Sequence, residues 1–263
     1  MREADKLSLG ENLIFEGMTS IRAVLAAIES CKSDRKILRV IVAESKLKAR
    51  AKELSYLRAM SHKYSFPIET LPDAALDKLT LGASHGGLLM ETTARTIPDL
   101  SASELEKIPP EERFFVMIEG IEDPYNFGYA LRSLYAAGCT AVILSPRNWM
   151  SVAGIVCRAS AGASELCDTF ICETPADCAK IMHELGMKIV CCDMKNSVSI
   201  YDADLKKPLF LAVGGEKRGL SRELLDAADA IVRLDYGRDF PAALSAASAA
   251  AIAGFEVVRQ NLK

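Results

Sequence analysis

Long apolar runs are absent from this chain of 263 residues. The longest ones, residues 209–215 and 242–255, are too short or too rich in small residues to cross a bilayer, which takes about 20 apolar residues. Residues 1–6 are mostly charged and lead into no apolar segment, so no secretory signal is predicted. We therefore expect a cytoplasmic protein with no membrane partner.

Metal-ligand and disulfide spacings are also missing. None of the eight cysteines belongs to a C-x-x-C pair, and the three histidines do not accompany them at ligand spacing. Most of the cysteines lie in apolar runs, where a reduced cysteine behaves as a small hydrophobic residue. We expect no metal, no disulfide and a reducing compartment.

The common nucleotide-binding patterns are not found either. The chain has no G-x-x-x-x-G-K-[ST] loop and no G-x-G-x-x-G directly on a helix. We also recognise no acidic residue after a strand. A nucleotide-dependent metabolic enzyme is therefore disfavoured.

Charge is distributed unevenly along the chain. The formal net charge is −3, but segment 46–63 contains six basic residues and one acid, a local charge of +5. Phosphate binding needs a local basic patch, and Lys46, Lys48, Arg50 and Lys52 are the candidates for RNA contact. A solvated helix face is the simpler interpretation of this segment taken alone.

The chain reads as two α/β parts. Residues 12–92 alternate short strands with helices, and the proline-containing stretch 93–112 has no strong period. From residue 113 onwards a βαβα pattern with continuous apolar strands predicts a mostly parallel sheet covered by helices. We predict domains at residues 1–95 and 113–263, joined by a linker at 96–112.

Three segments of the second part carry candidate chemistry. The first, residues 118–133, joins a strand to a helix and contains Asp123-Pro124, Asn126 and Arg132. Asn126 is a good helix cap, and from a helix starting there Arg132 could address the same cleft. The spacing is explained equally well if Asn126 only caps the helix and Arg132 is only an exposed cation on it.

The second segment, residues 211–221, runs from a buried strand through a glycine-rich loop to a helix. Gly214, Gly215 and Gly219 allow a close approach of the backbone to a ligand, and Glu216 lies between them. The third segment, residues 244–254, opens a helix with small residues, which is also typical of a tightly packed core helix.

Together, these segments resemble the SpoU (TrmH-like) branch of the SPOUT methyltransferases. The patterns D-P-x-N-x-G-x-x-x-R and G-x-E-x-x-G-L are complete, and residues 158–163 resemble [KR]-A-S-x-G-A. Upstream, residues 13–92 look like the L30e-like substrate-binding domain of this family, with His85-Gly86-Gly87 near its end.

The resemblance implies a C-terminal trefoil-knotted α/β fold with a mostly parallel sheet, preceded by the L30e-like α/β domain. It implies a homodimer with its active site near the subunit interface, and transfer of a methyl group from S-adenosylmethionine to a ribose 2′-hydroxyl of structured RNA. Ribosomal RNA is favoured over transfer RNA, and transfer RNA stays open as the alternative. The implied catalytic residues are Asn126, Arg132 and Glu216. The implied cofactor-binding residues are Gly214, Gly215, Glu216, Gly219, Leu234, Leu244 and Ser245.

The third segment departs from the family pattern S-L-N-V-S-V-A-A. Ser245 stands where the family has asparagine, Ala247 where it has serine, and Leu234-Asp235-Tyr236 replaces I-P-M. Two alternatives therefore remain open: a catalytically weak or inactive RNA-binding protein, and an enzyme with an altered target atom. Asp235 would either contact the cofactor or repel it.

Overall fold

The computed structural model describes residues 13–80, 85–146 and 152–262. The described residues form two compact units. The first contains residues 13–80, 85–96 and 152–166, and the second contains residues 97–146 and 167–262. These units of contact differ from the domains predicted along the sequence, because residues 152–166 group with the first unit. The domain boundaries, as limits of independently folding parts, stay a prediction.

The first unit is built on a four-stranded sheet with the order β1-β4-β2-β3. The pairs β1/β4 and β4/β2 are antiparallel, and β2/β3 is parallel. Its strands are β1 (Leu13–Glu16), β2 (Ile37–Ala43), β3 (Ile68–Leu71) and β4 (Leu88–Thr92). Its helices are α1 (Gly17–Glu29), α2 (Ala51–Tyr64), α3 (Asp73–Asp77), α6 (Ala153–Ala159) and α7 (Ala163–Leu166), with a 3-10 turn at Glu44–Lys46.

Helices α6 and α7 are embedded in this first unit. A Cβ atom on Gly154 would lie 1.9 Å from the carbonyl oxygen of Ile14, so only glycine lets α6 approach β1 this closely. Arg35 forms a buried ion pair with Glu165, Nε to Oε2 at 3.0 Å, and its Nη1 donates to the carbonyl oxygen of Thr93. Residues distant in sequence therefore complete one core.

The second unit contains a seven-stranded sheet with the order β7-β6-β5-β10-β8-β11-β9, in which all neighbouring strands are parallel. The strands are β5 (Phe114–Glu119), β6 (Ala141–Leu144), β7 (Asp168–Ile171), β8 (Lys188–Cys192), β9 (Val198–Ser199), β10 (Leu209–Gly214) and β11 (Ala230–Arg233). The mostly parallel sheet predicted from the continuous apolar runs is confirmed.

Helices cover this sheet, as expected for parallel strands. They are α4 (Ala102–Leu105), α5 (Pro124–Ala136), α8 (Pro175–Glu184), α9 (Arg222–Ala227) and α10 (Ala246–Asn261), with a 3-10 turn at Pro110–Glu112. Residues 97–112 of the predicted linker pack in this unit: Leu105 is fully buried, and the N–H of Leu100 donates to the carbonyl oxygen of Ile171 at 2.7 Å.

The strand order reverses next to β5. The chain proceeds from β5 to β6 and β7 on one side, and β10 lies against β5 on the other. In open α/β sheets, ligands bind outside the carboxyl ends of the strands at such a reversal. The carboxyl ends of β5 and β10 are therefore where a site is expected.

Among the described residues, no helix combines the length and the hydropathy that crossing a bilayer requires. Over the same residues, no group of three or more His, Cys, Asp or Glu side chains is arranged to hold a metal ion. All eight cysteines are free thiols, and Cys31 is exposed.

Candidate active site

The loops that follow β5 and β10 are packed directly on each other. Gly214 at the end of β10 is in register with Glu119 at the end of β5. The N–H of Gly215 donates to the carbonyl oxygen of Glu119 at 2.6 Å, and a carboxylate oxygen of Glu119 accepts from the N–H of Ser221 at 2.7 Å. The first two sequence segments singled out above thus form one structural feature.

Glycine is required at this junction because backbone atoms occupy the space of a side chain. A Cβ on Gly214 would lie 2.6 Å from the carbonyl carbon of Gly219, and a Cβ on Gly215 would lie 2.3 Å from the carbonyl oxygen of Gly120. Gly120 and Gly219 have φ of +75° and +63°, a region that favours glycine. The glycine-rich loop therefore folds tightly back on itself.

A cavity of about 350 Å³ opens beside this loop, at the carboxyl ends of β8, β10 and β11. Six of the seven predicted cofactor-binding residues line it: Gly214, Gly215, Glu216, Gly219, Leu234 and Leu244. Apolar side chains, among them Ile200, Val213 and Val232, line much of the remainder. A concave, mostly apolar cavity with a few polar groups is typical of a small-molecule site.

The loop after β8 also lines this cavity and was not predicted from the sequence. It contributes Asp193, Met194 and Lys195, next to Cys192 at the end of the strand. Asp193 is an acidic residue directly after a strand, so the expectation that the chain has none is wrong. The signal was present, since a continuous apolar run directly precedes Asp193, and the carboxyl ends of such strands face the crevice.

A smaller cavity of about 120 Å³ brings two of the three predicted catalytic residues together. Asn126 and Glu216 both line it, with Gly120, Glu122, Lys217 and Ala246 among the other residues. Glu216 and Ala246 line both cavities. The two cavities are therefore neighbours separated by a few side chains.

Asn126 does not cap α5, which corrects the interpretation made from its position in the sequence. The helix begins at Pro124, and Asp123 is the cap, with its carboxylate accepting from the N–H of Tyr125 at 3.0 Å. Proline is favoured at the first helical position because it lacks the N–H that would be unbonded there. The Asn126 side chain is thereby left to face the smaller cavity.

Arg132 lines neither of these two cavities. Its side chain is exposed on α5 and makes no hydrogen bond or ion pair with the described part of the chain. Spacings of four and three residues place it on the same side of α5 as Tyr125 and Tyr129, which are 42% and 48% exposed. Within one chain, the structure thus unites Asn126 and Glu216 but not Arg132.

Ser245 forms the cap of α10 and is not among the residues lining the larger cavity. Its hydroxyl accepts from the N–H of Ser248 at 3.2 Å. A carboxylate oxygen of Glu216 accepts from the N–H of Ala246 at 3.2 Å, at the positive end of the helix. Serine and asparagine are both strong caps, so the replacement of the family asparagine preserves this helix start.

Asp235 is engaged by its own neighbours. Its carboxylate lies 2.8 Å from Nε of Arg233. A hydrogen bond from Ser199, with a further one from Arg233, lowers the pKa of Asp235 below its ordinary value. Asp235 is absent from the cavity lining, so neither contact with a cofactor nor repulsion of it is favoured by this position.

The predicted RNA-binding residues all lie in the first unit. Lys46, Lys48 and Lys52 are exposed and form no ion pair with residues that the structure describes. Arg50 is half-buried, pairs with Glu53 at 2.9 Å, and lies beside the turn at Gly86. His85 is held by its contacts: Nδ1 accepts from the N–H of Gly87 and Nε2 lies 2.9 Å from Asp77.

Comparison with known proteins identifies the class. Residues 113–255 match the SpoU rRNA Methylase family, and residues 21–98 match the RNA 2'-O ribose methyltransferase substrate binding family. The chain belongs to the SpoU rRNA Methylase family, as the motifs of the sequence indicate.

Individual relatives agree with this assignment. A Bacillus subtilis protein assigned to the TrmH family of tRNA/rRNA methyltransferases is 28% identical over 90% of this chain and 93% of its own length. The 23S rRNA (guanosine-2'-O-)-methyltransferase RlmB of Shewanella oneidensis is 27% identical over 79% of this chain and 84% of its own. The AdoMet-bound rRNA methyltransferase of Sinorhizobium meliloti shares the fold, with a TM-score of 0.76 at 22% identity over 98% of this chain and 90% of that one.

Proposed function

We propose that this protein transfers a methyl group from S-adenosylmethionine to a ribose 2′-hydroxyl of RNA. The observation that carries the proposal is the pair of adjoining cavities at the carboxyl ends of the parallel strands. One is lined by the glycine-rich loop, the other by Asn126, and Glu216 is common to both. Family membership and relatives named as RNA 2'-O-methyltransferases support the same reaction.

The residues of the larger cavity fit the cofactor. Its volume of about 350 Å³ lies within the usual range for small-molecule sites. Gly214 and Gly215 place no side chain between the loop backbone and the cavity, and Leu234 and Leu244 offer apolar surface to an adenine. When bound, S-adenosylmethionine supplies a methyl group already activated by its positive sulfur.

The smaller cavity is proposed as the place of the acceptor ribose. A ribose hydroxyl is a poor nucleophile until its proton is removed or its developing charge is stabilised. The amide of Asn126 can donate and accept hydrogen bonds and so orient the sugar, while Lys217, paired with Glu122 at 3.0 Å, lies beside it. Glu216 holds the start of α10 against both cavities through its bond to Ala246.

Arg132 enters the proposal through a homodimer. Its position on α5 is flanked by the exposed rings of Tyr125 and Tyr129, and the neighbouring α10 exposes Ile252 and Phe255, the latter by 52%. Exposed apolar residues on two adjacent helices favour an interface, and a second copy would bring Arg132 near an active site. A monomeric mass by sedimentation at all accessible concentrations would contradict this arrangement.

We further propose that the first unit binds structured RNA through Lys46, Lys48, Arg50 and Lys52. The proposed substrate is ribosomal RNA rather than transfer RNA, and the proposed compartment is the cytoplasm. The trefoil knot of the C-terminal part and the L30e-like character of the N-terminal part belong to the same proposal. These assignments rest on the basic segment and on the family.

The test is transfer of labelled methyl from S-adenosylmethionine to RNA, followed by mapping of 2′-O-methyl groups. Arginine stays protonated at neutral pH, so Arg132 is expected to act by its charge. We expect Arg132→Ala to lose transfer and keep its melting temperature. Arg222→Ala is the matched control, because Arg222 is an exposed helix arginine of the same unit.

The outcomes separate the alternatives. Wild-type protein that binds RNA but neither binds the cofactor nor transfers a methyl group would support the inactive RNA-binding alternative. Methylation mapped to a base would show an altered target atom. Near-normal turnover by Arg132→Ala would remove Arg132 from the mechanism.

A further inference from the structure

The carboxylate of Asp193 stands in the larger cavity without an assigned role. Asp193 follows directly on β8, the strand between β10 and β11, and it lines the cavity together with the glycine-rich loop. Its Oδ1 accepts from the N–H of Lys195 at 2.8 Å, which fixes the orientation of the side chain. Its Oδ2 faces the loop across from it, 4.0 Å from the position of a Cβ on Gly219.

The side chain of Asp193 is held by a backbone hydrogen bond but has no cationic partner among the described residues. No ion pair involves it in the described ranges, and Oδ2 has no hydrogen-bond partner there. By contrast, Arg233 in the same cavity is already engaged, with Asp235 and with the carbonyl oxygen of Ser197. A carboxylate with a free oxygen, facing a cavity wall of main-chain atoms, is a strong acceptor for a ligand that offers O–H or N–H donors.

Two parts of the cofactor could satisfy this acceptor: the two ribose hydroxyls and the ammonium of its methionine part. The position favours the hydroxyls, because an acid after a parallel strand, opposite a glycine-rich turn of the sheet, is an arrangement by which α/β proteins hold a ribose diol. Lys195 lines the same cavity, and its positive charge near the carboxylate weakens the attraction of an ammonium.

We propose that Asp193 is a specificity-determining residue that binds the ribose hydroxyls of the cofactor. The proposal rests on the proposed function, since it requires that an adenosine-containing cofactor occupies the larger cavity. It adds a selection for a ribonucleoside cofactor that the three sequence motifs do not supply.

The experiment measures binding by calorimetry, independent of activity. The ligands are S-adenosylhomocysteine, its 2′-deoxy and 3′-deoxy analogues, and 5′-methylthioadenosine, which keeps the ribose and lacks the amino-acid part. The variant is Asp193→Asn, which keeps an acceptor for the N–H of Lys195. The control is Asp202→Asn, an exposed acid of the same region that is not part of the cavity lining.

We expect Asp193→Asn to bind S-adenosylhomocysteine and 5′-methylthioadenosine roughly 10- to 100-fold more weakly than wild type, the usual loss for a hydrogen bond to a charged group. The deoxy analogue that lacks the bonded hydroxyl should bind weakly to both proteins and show little further loss in the variant. Asp202→Asn should equal wild type with every ligand.

The failures can be told apart. A wild-type protein that binds none of these ligands would overturn the proposed function and this inference with it. Wild-type binding that is insensitive to both deoxy substitutions would overturn the inference alone, and it needs no variant that must fold. A loss in Asp193→Asn confined to S-adenosylhomocysteine, with 5′-methylthioadenosine unaffected, would assign Asp193 to the ammonium and also refute the ribose contact.

Discussion

The substitution Gly215→Ala tests the tight junction of the loops after β5 and β10. The added methyl would lie 2.3 Å from the carbonyl oxygen of Gly120, 2.4 Å from its carbonyl carbon and 2.8 Å from the N of Ile121. All three are backbone atoms, so no side-chain rotation relieves the contact. One of the two loops must move by an ångström or more to restore an ordinary separation.

The magnitude follows from these contacts. Forcing an extra methyl into a packed region costs about 1–3 kcal/mol, occasionally more. Gly237→Ala is the matched control, because a Cβ at Gly237 meets nothing within 4 Å and its φ is not in the positive region. Alanine at a compatible glycine position gains about 0.4–1 kcal/mol by restricting the unfolded chain. The two variants should therefore differ by roughly 1–4 kcal/mol in the free energy of unfolding.

Two assays test this prediction. Thermal unfolding should show Gly215→Ala melting several degrees lower, at about 2–4 °C per kcal/mol for a domain of this size. Calorimetry should show a weaker affinity for S-adenosylmethionine, because the displaced loop lines the larger cavity. If Gly215→Ala matched Gly237→Ala in both stability and affinity, the reasoning from the close backbone contacts would be refuted.

Three further predictions concern the rest of the molecule. Arg35→Ala should lower stability by about 3–5 kcal/mol, because it leaves Glu165 buried without its partner; a melting curve close to that of wild type would contradict a buried pair. Reversing Lys48 and Lys52 to Glu should weaken RNA binding and reduce the dependence of log K on log salt by about 1–2, and an unchanged salt slope would place the RNA elsewhere. Burial raises the pKa of the Cys157 thiol to about 12, above its value in the unfolded chain. The contribution of this thiol to stability should therefore be complete below pH 9 and be lost as the pH rises toward 12. The free energies of unfolding of wild type and Cys157→Ala, measured with denaturant, should converge over that range.

The order of strands and helices was largely predictable from the sequence, because each depends on a local pattern. Continuous apolar runs predicted the mostly parallel sheet to which β8 and β10 belong. Turn residues predicted the first residue of a helix less well. Asp123-Pro124 carried the information that α5 begins at Pro124, but Asn126, an equally good cap, was taken as its start.

The candidate site was predictable only in part. Gly214, Gly215 and Glu216 stood out because a glycine-rich turn after a buried strand is unusual, and the structure finds them lining a cavity. Asp193 was missed because a single acid after a strand has no local signature until the neighbouring strands are known. Ser245, which the family resemblance implies as a cofactor-binding residue, caps α10 and is absent from the lining of the larger cavity.

By itself, the sequence determined the class of the fold, the family and the catalytic candidates, since these depend on periodicity and on short motifs read along the chain. The tertiary structure decided which of those residues meet. It placed Asn126 beside Glu216, left Arg132 on an exposed helix side, and brought Asp193 to the larger cavity. The physical reason is that parallel strands carry residues far apart in sequence to one edge of a sheet, and only the strand order β5-β10-β8-β11 says which ends are neighbours.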